Sequence, residues 1–168
     1  METWSVRRRT DRDLDGCADV LATVHEREGY PVNWPARPTD WLAPPTLLTA
    51  WVAEWDGRVV GHVGLCRADG SDVAARLWSD REGVGIEATA VVSRLFVAPS
   101  AHGRGIGAAL MARAVAEARE RALRPVLDVV ASDTAAVALY ERLGWELLGT
   151  AEQRWTPART VSVRCYAL

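Results

Sequence analysis

Three glycines, Gly103, Gly105 and Gly107, alternate with single residues beside His102 and Arg104, and this is the stretch best suited to hold an anion. They follow an apolar, β-branched run (Val91, Val92, Leu95, Phe96, Val97) and a loop containing Pro99, and they lead directly into a helical pattern. The order predicts a strand, a glycine turn and a helix start. No Ser, Thr, Asp or Asn is placed to cap that helix, and the next carboxylate is Glu117, so the first amides have no evident partner. Backbone N–H groups aimed at one spot, the positive end of the helix dipole and Arg104 beside them make a phosphate cradle, and glycine lets a ligand come close to the backbone.

Other side chains capable of chemistry are scattered. Asp128 lies in the run VLDVV, Glu87 precedes the apolar strand, and Asp133 and Tyr140 share the segment DTAAVALYERLGW. Each has a plain alternative: Asp128 a strand-end carboxylate bonded to backbone, Asp133 a helix cap, Tyr140 a ring packed on a sheet. Tyr30, Trp34 and Trp41 fall in YPVNWPARPTDWLAPP, whose five prolines rule out long elements. That loop is either pinned to the core by its tryptophans or forms one wall of an acceptor pocket. His25 and His62 are lone histidines and receive no role. The three cysteines are odd in number and contain no CxxC pair, which argues against a disulfide framework or a zinc site, and no metal is expected. A P-loop would need a lysine, and the chain has none; a Rossmann turn would follow its strand directly, whereas Ala98 to His102 intervene.

The run His102-Gly-Arg-Gly-Ile-Gly107, followed by AALM, resembles the pyrophosphate loop of the GNAT superfamily, the acyl-CoA-dependent N-acetyltransferases, with His102 where the family usually has Gln or Arg. DTAAVALYERLGW resembles a second family segment through Ala136, Leu139, Tyr140, Gly144 and Trp145. The resemblance implies acetyl-CoA as co-substrate, held by Gly103, Arg104, Gly105, Ile106, Gly107 and Ala108, with strand groups of Leu95, Phe96 and Val97 offered to the pantetheine arm. Asp133 stands where an Asn contacts the cofactor. Tyr140 would protonate the departing thiolate. Asp128 matches the position of a glutamate in members that acetylate protein N-termini, while Val91 occupies the place of the glutamate in histone-acetylating members. The implied reaction is direct attack by a primary amine of a small molecule or peptide in a ternary complex. Tyr30, Trp34 and Glu87 are candidates for acceptor binding. A non-catalytic acyl-CoA binder on the same fold is the alternative.

The elements around these residues read as β-α-(α)-β-β-β-α-β-α-β-β, with a strong Asp56-Gly57 hairpin signal, a short helical piece near Val73 to Trp78, and final strands at Trp145–Gly149 and Val161–Tyr166. This predicts an α+β (mixed α/β) domain, residues 1–168, with a mostly antiparallel twisted sheet of six to seven strands flanked by helices, as the resemblance also implies. A net charge of −2 argues against nucleic-acid partners or an anionic membrane surface. No run approaches the ~18 apolar residues of a membrane span, and with its cysteine usage the chain reads as cytoplasmic. Homodimer formation is left open.

Overall fold

The computed structural model describes residues 3–168. Its elements are β1 (Trp4–Arg8), α1 (Leu14–Glu28), α2 (Pro38–Leu42), β2 (Leu47–Trp55), β3 (Arg58–Arg67), α3 (Val73–Glu82), β4 (Thr89–Val97), α4 (Ile106–Glu120), β5 (Arg124–Val130), α5 (Thr134–Arg142), β6 (Glu146–Thr156) and β7 (Arg159–Ala167). The strands form a seven-stranded mixed sheet in the order β1-β2-β3-β4-β5-β7-β6, the α+β class expected. β4 and β5 run parallel through Thr89↔Arg124, Ala90↔Pro125 and Val91↔Val126. By contacts the chain divides into two compact units, Met1–Cys66 with Val92–Ala116, and Arg67–Val91 with Glu117–Leu168.

In the first unit, α1 is launched by a 3₁₀ turn at Asp11–Asp13. The Asp13 carboxylate accepts from the Thr10 amide at 2.7 Å and from both terminal nitrogens of Arg7 at 2.8 Å, tying the helix start to β1. These bonds, those of Arg7 foremost, hold the Asp13 pKa down at about 2. Gly29, at φ 73°, ends the helix in the left-handed conformation that glycine takes most easily. Apolar residues of α1 at spacings of four and three (Cys17, Leu21, Val24) pack with Leu42, Val52 and Phe96 into one buried cluster. The Asp56-Gly57 turn has φ 51° and 74°, the two left-handed residues of a type I′ hairpin.

Gly61 on β3 is required by close packing. A Cβ there would lie 3.1 Å from Leu110 Cδ1, 3.3 Å from Ile106 Cγ2 and 3.3 Å from the Phe96 carbonyl. Helix α4, which carries the glycine loop at its start, therefore rests directly on this glycine. Gly61→Val is expected to cost about 1–3 kcal/mol of unfolding free energy by overpacking, measured as a lower urea midpoint with an unchanged slope.

In the second unit, Ala74 and Ala75 of α3 pack with Val126, Val161, Val163 and Cys165, supported by Leu77 and Trp78. The helix extends to Glu82, beyond the short piece expected, because its polar second half still places Leu77 and Trp78 on that core. Strands β6 and β7 also exceed expectation, at 11 and 9 residues. The stretch GTAEQRWT is too polar to read as a strand by itself, and cross-strand pairs from Gly149↔Cys165 to Thr156↔Arg159 carry it.

Candidate active site

Gly103 and Gly105 adopt φ 76° and 80°, the left-handed region that side-chain-bearing residues avoid. A Cβ at either would meet no atom within 4 Å, so the space above the turn is open. The Gly105 carbonyl accepts from the Ala109 amide at 3.1 Å, the first bond of the helical ladder. The amides of Ile106, Gly107 and Ala108 therefore have no acceptor within the helix. No acid stands in that first turn. Left-handed glycines, bare amides and the helix dipole fit a pyrophosphate. The Arg104 guanidinium lies 4.3 Å from the centre of the Trp55 ring, which holds this cation beside the turn.

His102, at the first position of the motif, bonds within the chain. Its Nε2 lies 3.1 Å from the Val97 carbonyl and 3.2 Å from Glu28 Oε1. The ring ties the loop to the ends of β4 and α1. The Val97 carbonyl thus already accepts one bond from within the chain.

Just upstream, β4 is kinked. Among the described residues, three non-glycine residues have positive φ: Asp56 in the hairpin, Ala122 just past α4, and Arg94 at φ 56° inside a strand. Such a conformation costs roughly 1–2 kcal/mol for a residue with a Cβ and persists where the surroundings dictate it. Arg94 is gripped at both ends. Its Nε donates to the Trp41 carbonyl at 2.6 Å, its guanidinium stacks 4.6 Å from the Trp41 ring, and its own carbonyl lies 2.9 Å from His62 Nδ1. Nothing in the sequence marks this kink, since no glycine or asparagine occupies it.

The proline-rich segment is half anchored. Tyr30 meets Trp41 edge-on at 6.3 Å, and both pack against the α1 cluster. Trp34 is 41% exposed and does not pin the segment to the core. It leans on His25 at 5.1 Å, and His25 Nδ1 donates to the Pro31 carbonyl at 2.7 Å. His25 and the two anchored rings hold the segment; Trp34 faces solvent.

The second unit carries the other candidates. Tyr140 is buried in α5, its ring 6.2 Å from Trp145 and 6.3 Å from Tyr166. Asp133 caps α5, its Oδ1 accepting from the Ala136 amide at 3.1 Å. Glu87 is exposed in a 3₁₀ turn before β4, its carboxylate folded over Gly85. Asp128 pairs with Cys165, and Leu127 with Tyr166. Alternation along β5 therefore sets Asp128 and Tyr140 on opposite faces of the sheet, Asp128 with the α3 side and Tyr140 beside Tyr166.

Asp128 is reached by solvent, yet chain crowds its carboxyl, and that desolvation, with repulsion from Asp72 second, raises its pKa above the usual carboxylate value. A folded-state pKa above the unfolded one means the charged form costs stability; that cost is complete above the folded pKa and vanishes below about 3.9. Asp128→Asn is expected to raise Tm at pH 7, with the gain shrinking as pH falls towards 4. Scanning calorimetry at both pH values checks the sign.

Comparison with known proteins gives a consistent result. The profile of the acetyltransferase (GNAT) family matches residues 17–145. An uncharacterized N-acetyltransferase of Mycobacterium tuberculosis is 33% identical over 138 residues, 80% of this chain and 76% of the relative. Among solved structures, a ribosomal-protein-alanine N-acetyltransferase from Brucella melitensis superposes with a TM-score of 0.74 at 24% identity, covering 98% of each chain. A putative acetyltransferase from Salmonella typhimurium, solved with acetyl-CoA, gives 0.74 at 18% identity over 99% of this chain and 93% of its own.

Proposed function

The chain belongs to the acetyltransferase (GNAT) family and is an acyl-CoA-dependent acetyltransferase, and we propose that residues 1–168 act as one domain that moves the acetyl group of acetyl-CoA to a primary amine of a small molecule or peptide. The observation that carries this reading is the kinked strand running into two open, left-handed glycines and a bare helix start. Acetyl-CoA supplies the activated acetyl group when bound.

The amides of Ile106 to Ala108, with Arg104 beside them, would hold the pyrophosphate. A backbone N–H of the kinked segment of β4 would bond the thioester carbonyl oxygen as it gains charge. Asp128, with its raised pKa, is a stronger base than an ordinary carboxylate and would take the amine's proton directly or through a water. Tyr140 would donate to the leaving sulfur. Asp128 on β5 and Tyr140 on α5, on opposite faces of the sheet, would serve the incoming amine and the outgoing thiol respectively. Tyr30 and Trp34 would line the acceptor's approach. Asp133, already capping α5, would contact the cofactor only through its remaining oxygen.

The test is a thiol-release screen with acetyl-CoA against amino acids, polyamines, aminoglycosides and peptides with free N-termini. A rate above hydrolysis with at least one class supports the reading; tight CoA binding with no release against any would make the protein a binder instead. With an active amine, Asp128→Asn is expected to lower the rate by about 10²-fold, most strongly below the amine's own pKa.

A further inference from the structure

His62 is the most deeply buried polar side chain of the first unit, with 0% exposure, and the roles assigned above do not use it. Its ring lies flat on Phe96 at 5.1 Å and 15°. Arg9 Nη1 approaches Nε2 at 2.9 Å, while Nδ1 lies 2.9 Å from the Arg94 carbonyl. A guanidinium can only donate, so Nε2 must accept. The proton therefore sits on Nδ1 and is donated to the Arg94 carbonyl. Burial, with Arg9 and Arg94 nearby, drives the His62 pKa down to about 3 despite the Arg94 bond, so the ring is neutral near pH 7.

The bonds thus run one way, Arg9 to His62 to Arg94, and end on the strand residue with left-handed φ. The same two arginines hold the end of α2: Arg9 Nη1 donates to the Leu42 carbonyl at 2.7 Å and Arg94 Nε to the Trp41 carbonyl at 2.6 Å. Strained backbone persists where the surroundings over-determine it, and here the determinants are a directed relay and a stacked ring.

Resting on the transferase reading above, we infer that His62 is a positioning residue, whose Nδ1–H locks the kink of β4 at Arg94 and so sets the strand amides against the thioester carbonyl. Its loss should slow chemistry far more than it weakens CoA binding, whose pyrophosphate would be held by the glycine loop.

Two substitutions separate this role from simple packing. Asn places an N–H near the position of Nδ1, whereas Gln puts its amide near Nε2 and abandons the Arg94 carbonyl. His62→Gln should lower kcat about 10–100-fold, the scale of an ångström's misplacement at a reacting centre, with the CoA dissociation constant changed less than about threefold. His62→Asn should recover most of that rate. The role is overturned if His62→Asn is as slow as His62→Gln, if His62→Gln keeps the parent kcat, or if CoA affinity falls in parallel with rate. Imidazole ¹⁵N resonances of the parent protein at pH 7 test the relay without turnover: a protonated Nδ1 with a bare Nε2 supports it, and the opposite tautomer overturns it. A parent that releases no thiol with any amine, yet shows the expected tautomer, would sink the transferase reading and with it the catalytic role, leaving the relay as a feature of the fold.

Discussion

Gly105→Glu is expected to weaken CoA binding by about 10³–10⁴-fold, since a carboxylate ~4 Å from a pyrophosphate at an effective dielectric near 20 is repelled by about 4 kcal/mol, a factor of about 10³, before steric obstruction is added. Two effects contribute. Gly105 sits at φ 80°, so any side chain costs roughly 1–2 kcal/mol in backbone strain. The space beyond its Cα is open, so the new side chain clashes with nothing in the protein and reaches into the region assigned to the ligand. Gly105→Gln has nearly the same shape and the same strain without the charge. Titration calorimetry with CoA should place the Gln variant between parent and Glu variant, about tenfold from the parent, the part that steric obstruction explains, while the strain shows as lower stability in both variants. Equal affinities for Glu and Gln would remove the electrostatic argument. A folded Glu variant that binds as the parent does would remove the cradle altogether.

The parts of the site that were readable in the sequence are those with local backbone demands. Left-handed turns ask for glycine, which is why Gly103, Gly105 and the Asp56-Gly57 hairpin could be placed from residue type alone. Asp133 could be placed as a cap for the same reason, since capping is a matter of a few residues. The kink at Arg94 is the opposite case. Arginine carries no preference for positive φ, and the groups that hold it there, His62 and Trp41, are 32 and 53 positions away. His62 shows the limit from the other side: a lone histidine in an apolar strand reads as structural, and only the directions of its two hydrogen bonds give it a further role. The polar half of β6 was likewise hidden, because partners on β7 supply the order that its own sequence does not request. The contacts of His102 were equally out of reach, since its partners Val97 and Glu28 lie on the ends of a strand and a helix that meet only in the fold.

Tyr140→Phe is expected to lower kcat by about 10²-fold, near 3 kcal/mol of barrier, with the KM for acetyl-CoA nearly constant. The ring is buried against Trp145 and Tyr166, and phenylalanine keeps those contacts, so removal of the hydroxyl should cost no more than ~1.5 kcal/mol of stability. The rate effect should sit at the low end for a proton donor, because a thiolate leaves tolerably even unprotonated. That reasoning supplies its own control. An acetyl thioester of a more acidic thiol needs less help at sulfur, so the penalty of Tyr140→Phe should shrink as the leaving thiol's pKa falls. A penalty independent of the thiol would assign Tyr140 to orientation and remove it from proton transfer. An unchanged kcat under conditions where chemistry limits turnover would leave Tyr140 as a packing residue between Trp145 and Tyr166.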